Sequence, residues 1–222
     1  MEDIAIEDKY IFEYVKYSLM YFINSSVDIA YAKYHRCSHY ENSVSIIKHG
    51  ILTISDLRQL KIKEFSPEAL KNFSVTDSHI NGIDGVSLAV MGLNDLYENE
   101  EEYIPYCINN IDLIIDSRVS ANRRTNHYGN EYISHGSISN KMIRAVDIRL
   151  FEYINERMRH PEIITGIEYF KIIEKYNYIR EIAQEIIQLD LDIRIRENSN
   201  FSMMNLDLER ISTSPKLTLK KN

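Results

Sequence analysis

The chain of 222 residues has little cysteine, and its two cysteines stand alone. Cys37 and Cys107 form no CxxC pair, so the sequence predicts no disulfide framework. This usage favours a reducing, cytoplasmic setting. No run of about eighteen apolar residues occurs, which excludes a transmembrane helix, and we expect no membrane partner. Residues 1–4 lack the basic-then-apolar pattern of a signal peptide.

Sequence signatures of phosphate loops and metal sites are also absent. The chain contains neither a P-loop nor a GxGxxG motif. Its histidines are scattered, without a pair at the spacing that metal ligands need. Asp112 and Asp116 flank an apolar run, and we interpret them as polar residues at strand ends. The sequence therefore predicts no bound metal.

Net charge restricts the partners that the chain can attract. With 33 acidic against 26 basic side chains, the formal charge is -7, which argues against broad adhesion to nucleic acid or to an anionic membrane. A local basic patch is still compatible with this total. The apolar content of 44% is ordinary for a soluble globular protein, and a chain of 222 residues can bury a sizeable core without disulfides.

The spacing of apolar residues changes along the chain from helical to strand-like and back. It predicts helices over residues 9–24, 39–49, 55–60 and 163–189, a short helix from Ser66, and strands over 27–35, 86–90, 111–115, 131–133 and 143–150. Ser38 and Glu41 form a predicted capping box, and Gly50 has the place of a C-cap. Residues 118–130 are polar and contain glycine, so we expect a long loop there.

Helices at both ends of a strand-rich centre indicate an α+β fold with a mostly antiparallel sheet. We expect one domain over residues 1–196, with a core at 31–150 and a helical region at 151–196. Residues 197–222 lack a sustained period and are predicted to form a loosely held tail. The C-terminal helical region has three open roles: packing on the core, self-association and binding of a partner.

Three short motifs carry the candidate chemistry. They are Tyr34-His35-Arg36-Cys37-Ser38 at a strand end, Gly85-Val86-Ser87-Leu88 in a strand, and Asn130-Glu131-Tyr132-Ile133 ahead of the strand Ile143-Arg144-Ala145-Val146. Their order and spacing resemble the ADP-ribosyltransferase superfamily, particularly small bacterial or phage members related to DNA-targeting DarT-type toxins and RNA phosphotransferases. The resemblance covers roughly residues 31–150, and it implies a sheet of ADP-ribosyltransferase type and NAD as a substrate.

The resemblance also implies a role for each residue of a trio, His35, Ser87 and Glu131. Cleavage of the nicotinamide–ribose bond of NAD passes through an oxocarbenium-like state that a carboxylate stabilises, so Glu131 is the expected catalytic residue. His35 is expected to bind a ribose hydroxyl, the backbone of Arg36 to hold the carboxamide, and Ser87 to contact NAD. The chain would then be a mono-ADP-ribosyltransferase, acting as a toxin, an effector or a protein of phage–bacterium conflict.

The loop before Glu131 matches, by position, the substrate-recognition loop of this family. The residues expected to contact the macromolecular acceptor, a protein or a nucleic acid, are Arg123, Arg124, His127 and Tyr128. Arginine-modifying members have a Glu or Gln two residues before the catalytic glutamate, where this chain has Gly129. Arginine is therefore not the expected acceptor.

The middle motif leaves one part of the NAD site open. Family members with a histidine in the first motif usually have a tyrosine in the second, where this chain has Ser87. The candidates for stacking on the nicotinamide ring are Tyr97, Tyr103 and Tyr106.

The same residues have plainer interpretations as well. His35 is compatible with a structural hydrogen bond, Glu131 with a solvated carboxylate, and Arg123 and Arg124 with solvated loop charges. The main alternative function is a catalytically inactive ADP-ribosyltransferase-like protein that binds or inhibits a partner. An unrelated nuclease or nucleic-acid-modifying enzyme is a further alternative, and it rests only on the basic loop.

Overall fold

A computed structural model describes residues 2–27, 33–37, 39–68, 70, 83–90, 108–123, 131–198 and 203–220. Its α-helices are α1 (Ile11–Phe22), α2 (Ser43–His49), α3 (Ile54–Gln59), α4 (Leu150–Arg159), α5 (Gly166–Gln188) and α6 (Leu208–Thr213). Its strands are β1 (Ile4–Ile6), β2 (Ile23–Val27), β3 (Lys33–Cys37), β4 (Ser87–Val90), β5 (Ile111–Ile115), β6 (Ala121–Arg123), β7 (Glu131–Ser134), β8 (Ile143–Ile148), β9 (Arg194–Asn198), β10 (Met203–Leu206) and β11 (Leu217–Leu219).

The larger sheet runs across the molecule in the strand order β2-β10-β9-β8-β5-β3-β4-β7-β6. Its neighbouring strands are antiparallel except for β8 and β9, which are parallel. A separate parallel pair joins β1 to β11. The predicted α+β class with a mostly antiparallel sheet and several helices is confirmed. None of the described helices is long and apolar enough to cross a membrane.

Alternation along the strands gives the sheet two different faces. On one face, Leu113, Val146 and Ile195 are fully buried and join α5 residues such as Ile182 in the main core. The other face has a smaller apolar cluster of Tyr34, Ile114 and Ala145, packed with Ala89, and beside it a series of charged side chains. We call this second side the charged face.

The first predicted helix is confirmed with narrower bounds. A 3-10 turn, Asp8–Tyr10, precedes α1, and the helix buries one stripe of apolar side chains, among them Val15 and Leu19. The helix predicted up to His49 also ends as expected, at Gly50 with a φ of +85°. Its start differs, because Glu41 lies in a 3-10 turn, Tyr40–Asn42, and α2 begins at Ser43. Ser38 lies outside the described residues.

The prediction of a loop over residues 118–130 is wrong for part of that range. β6, Ala121–Arg123, is a short edge strand that pairs with β7. Its three residues are polar or small and largely exposed, so they carry no apolar alternation from which a strand could be recognised. Residues 124–130 lie outside the described residues.

The prediction of a loosely held tail is wrong for 197–198 and 203–220. The side chain of Glu197 is fully buried, and one of its oxygens accepts a hydrogen bond from the Phe151 backbone N–H, at the start of α4. Further along, the side-chain amide of Asn177 on α5 donates to the backbone oxygen of Leu217 at 2.9 Å and accepts from its backbone N–H at 3.0 Å. Each of these short elements buries only one or two apolar side chains, too few to produce a period.

Candidate functional site

The sheet order brings the three motif strands side by side. β3 neighbours β4, and β4 neighbours β7, so strands that are far apart in sequence are adjacent in space. Ala89 of β4 shows how the three strands align: it pairs with Tyr34 of β3 on one side and with Glu131 of β7 on the other. The structure thus gathers the predicted trio in one place.

A chain of two hydrogen bonds connects the trio. His35 Nδ1 lies 3.0 Å from the backbone oxygen of Ser87, and the Ser87 hydroxyl donates to Glu131 Oε1 at 2.6 Å. Among the described residues, the β3–β4 ladder pairs Lys33 with Val90 and Tyr34 with Ala89. The imidazole therefore contacts β4 two residues before Ala89, as a side-chain link between the two strands.

His35 is held as a neutral ring of one tautomer. A carbonyl oxygen only accepts hydrogen bonds, so Nδ1 carries the hydrogen and Nε2 of the neutral ring keeps a free lone pair. Burial is the largest influence on the pKa of His35 and lowers it, although the Ser87 carbonyl and the Asp112 carboxylate oppose the shift. At neutral pH, Nε2 can thus accept a hydrogen bond from a hydroxyl group.

The Glu131 carboxylate is positioned by the strand that bears Ser87. Glu131 and Ser87 project from the same face of the β4–β7 ladder, in which Ala89 is opposite Glu131 and Ser87 is opposite Ile133. Because the Ser87 hydroxyl donates its hydrogen bond to Oε1, the orientation of this carboxylate oxygen is fixed. Glu131 is half-buried, so its charge is partly withdrawn from water.

The neighbouring Cys37 is not a nucleophile of this site. Burial raises the pKa of the Cys37 thiol to about 11, and the thiol donates to the backbone oxygen of His39. A thiol with that pKa is protonated at neutral pH, and the protonated form is a poor nucleophile. Burial and the hydrogen bond to His39 therefore make Cys37 poorly suited to act as a nucleophile with His35.

The Arg36 side chain belongs to the charged face. Its guanidinium donates to Tyr34 Oη at 2.9 Å, lies 5.3 Å from the centre of that ring, and is 3.4 Å from Asp112. The resemblance assigned NAD binding to the Arg36 backbone. The side chain packs along β3 and β5, against Tyr34 and Asp112.

A row of four charged residues crosses the sheet on this face. Arg36 lies opposite Asp112, Asp112 opposite Asp147, and Asp147 opposite Arg196. Asp112 is only 2% exposed and also lies 3.8 Å from Arg149. Our interpretation of Asp112 as a strand-end residue is therefore wrong: it is the second residue of β5, in a buried ion-pair row.

Asp116 fits the strand-end interpretation. It follows β5 directly and accepts hydrogen bonds from Arg118 and Arg144. The hydrogen bonds from Arg118, followed by that from Arg144, hold the pKa of the Asp116 carboxyl well below its usual range.

Of the residues predicted to contact the acceptor, the structure describes Arg123 alone. Arg123 is exposed on β6, opposite Tyr132 of β7, and so is close in sequence and in space to the strand of Glu131. The other predicted contacts and the tyrosine candidates lie outside the described residues: Arg124, His127, Tyr128, Tyr97, Tyr103 and Tyr106.

Within the described ranges, no group of three or more His, Cys, Asp or Glu side chains is arranged to hold a metal ion.

Comparison with known proteins identifies no relative: no family model, no curated protein and no solved structure matches the chain.

The burial of Asp147 in the charged row should make the unfolding free energy depend on pH. Burial raises the pKa of Asp147 from its usual 3.8 to about 6, although Arg196 opposes the shift. A carboxyl whose pKa is higher in the folded chain stabilises the fold below the unfolded pKa, and this contribution is lost as pH rises through about 6. Relative to Asp147→Asn, which cannot titrate, the native chain should lose about 2 to 3 kcal/mol of unfolding free energy from about pH 4 to 7.

Urea unfolding of both proteins across this pH range measures the difference. The Asn variant leaves Arg196 without its buried carboxylate, so its absolute stability will be lower, and only the trend with pH is informative. A difference that stays constant with pH would show that Asp147 is ionised throughout.

Proposed function

We propose that this protein is an NAD-dependent mono-ADP-ribosyltransferase and that Glu131 is its catalytic residue. The observation that supports it best is the hydrogen-bonded chain from His35 through Ser87 to Glu131. Three motifs recognised separately along the sequence meet at one point of the sheet. The Ser87 hydroxyl fixes Oε1 of the carboxylate, and the neutral His35 ring is joined to the same residue through the Ser87 backbone oxygen.

The chemistry suits a carboxylate that needs no acid partner. The bond between nicotinamide nitrogen and ribose C1′ breaks, and nicotinamide leaves as a neutral molecule with the bonding electron pair. Positive charge develops on the ribose, and a carboxylate beneath it stabilises that charge. The acceptor nucleophile then bonds to C1′ and gives its proton to the Glu131 carboxylate, the anionic base of the trio.

Ser87 and His35 act by position in this scheme. Ser87 fixes Glu131 Oε1 by its hydrogen bond, and the carboxylate oriented in this way is expected to stabilise the positive charge on the ribose. His35 Nε2 is expected to accept a hydrogen bond from a ribose hydroxyl, because Nδ1 is already committed to the Ser87 carbonyl.

The direct test uses NAD with two labels, one on nicotinamide and one on the adenylate phosphate. Release of the first label reports bond cleavage, and incorporation of the second into protein, DNA or RNA pools identifies the acceptor class. We expect both events with the native chain. If nicotinamide is not released and calorimetry detects no NAD binding, the proposal is wrong and the inactive, partner-binding alternative stands.

Replacing Ser87 by alanine tests the positioning role. Loss of a hydrogen bond to a charged group should lower kcat for nicotinamide release by about tenfold, with little change in KM. A matched control is Ser55→Ala, which removes a similar hydroxyl–carboxylate bond, to Asp84 at 2.6 Å, and leaves the two hydrogen bonds of the trio in place. Equal rates for both variants would remove Ser87 from the mechanism.

A further inference from the structure

A second polar pocket lies on the charged face, outside the trio. It has a volume of about 190 Å³ and lies over β8, β9 and the turn that leads into β9. Its lining residues are Ile114, Arg144, Ala145, Asp192, Arg194 and Arg196. Three of the six are arginines, in a chain whose formal charge is -7.

Two of the arginines are held in place by carboxylates. Arg196 binds both oxygens of the fully buried Asp147, at 2.6 and 3.0 Å, so its guanidinium is fixed in orientation. Arg144 donates to Asp116 at 2.6 Å and lies 3.4 Å from Asp192. An arrangement already fixed in the free protein loses little conformational entropy when a ligand binds.

Arg194 differs from these two. It is exposed, and it makes no ion pair with any residue in the part of the chain that the structure describes. It projects from β9 opposite Ala145 of β8, two residues before Arg196 and on the same face of the strand. The pocket therefore contains one uncommitted cation beside two oriented ones.

We propose that this pocket binds a phosphate group of a small phosphorylated ligand. Guanidinium groups recognise phosphate oxygens through paired N–H donors, and three of them converge here. The apolar side chains of Ile114 and Ala145 line the same pocket, which lowers the local dielectric and strengthens the attraction. A pocket of 190 Å³ is smaller than those of drug-sized ligands, so it suits a phosphate with a short attachment.

Asp192 opposes this binding only weakly. Its side chain is 89% exposed, and it pairs with Arg144 at 3.4 Å. Ion pairs this exposed contribute little free energy, and a phosphate can displace the carboxylate from Arg144. Removal of the Asp192 charge should therefore tighten phosphate binding, whereas removal of the Arg194 charge should weaken it.

The pocket is distinct from the trio. In the sheet, β9 is separated from β4 by β8, β5 and β3, which places Arg194 about 19 Å from the strand of Ser87 at the usual strand spacing. The phosphate proposal thus does not depend on NAD chemistry at Glu131. Either can fail without the other.

Titration calorimetry with inorganic phosphate, at constant ionic strength set by chloride, tests the proposal. Arg194→Gln should weaken binding at least about tenfold, and Asp192→Asn should tighten it about threefold. The matched control is Arg159→Gln, which removes an exposed arginine that pairs with Glu156 elsewhere and should leave the affinity within about twofold. Circular dichroism confirms that each variant is folded.

Equal affinities in Arg194→Gln and Arg159→Gln would overturn the proposal, as would no binding to the native chain at about 10 mM phosphate. Ribose 5-phosphate against ribose then tests whether a phosphate carried by a small molecule is accepted; binding of ribose alone would contradict a phosphate site. Glu131→Gln should keep the native phosphate affinity. If that variant loses phosphate and Arg194→Gln retains it, phosphate binds at the trio and the pocket assignment is wrong.

Discussion

Replacement of Glu131 by glutamine is expected to lower the rate of nicotinamide release from NAD by about a thousandfold or more. Glutamine has nearly the same shape, and its amide oxygen can still accept the hydrogen bond from Ser87. The change therefore removes the negative charge while it preserves the geometry. Loss of a preorganised group that stabilises transition-state charge then costs about 4 kcal/mol or more.

The assay is initial-rate nicotinamide release at saturating NAD, with NAD affinity measured separately by calorimetry. Affinity should change far less than kcat, because the carboxylate acts mainly on charge that develops in the transition state. Glu64→Gln provides the control, since Glu64 is exposed and lies outside the trio. Undiminished turnover by Glu131→Gln would refute the catalytic assignment, even if the protein proves to bind NAD.

Replacement of Gly50 by alanine is expected to cost at least about 3 kcal/mol of unfolding free energy, or to prevent folding. Gly50 has φ +85° and ψ -179°, a conformation that side chains with a Cβ rarely adopt. A Cβ built there would lie 2.3 Å from the Ile138 backbone oxygen and 3.0 Å from the Asn140 backbone nitrogen. Neither backbone atom can move alone, because Ile51 and Ile138 form a β-bridge beside the glycine.

Gly166 offers a matched comparison for this experiment. It begins α5, and a Cβ added there meets nothing within 4 Å, so Gly166→Ala should be neutral or slightly stabilising. Urea titrations of the two variants measure the difference directly. Similar stabilities for the two variants would mean that the chain between α2 and Ile51 relaxes without cost, contrary to the close packing described.

The parts of the fold that sequence reasoning predicted are those that carry their signal locally. The apolar run of β5 and the apolar stripe of α1 are visible within single segments. The trio was predicted from three separate motifs, and the structure places them on adjacent strands. What the order of motifs could not supply was the contact pattern, in which Ser87 both accepts from His35 and donates to Glu131.

The parts that were missed depend on partners distant in sequence. Asp112 and Asp147 are buried because Arg36 and Arg196 lie beside them on other strands, and no single segment reveals that neighbourhood. A carboxylate within an apolar run was the available signal, since burial of an acid normally requires an ion pair. Short strands such as β11 were not predicted for the same reason, since their contacts are with segments far away in the sequence, such as β1 and α5.

The pairing of β2 with β10 has a consequence for how the molecule is made. Ser25 pairs with Asn205, so β2 cannot join the sheet until 180 more residues have been synthesised. Until then, β2 lacks its ladder partner β10, and contacts of such long sequence separation form slowly. We therefore expect the nascent chain to keep β2 unpaired, and so open to wrong association, until β10 has been synthesised.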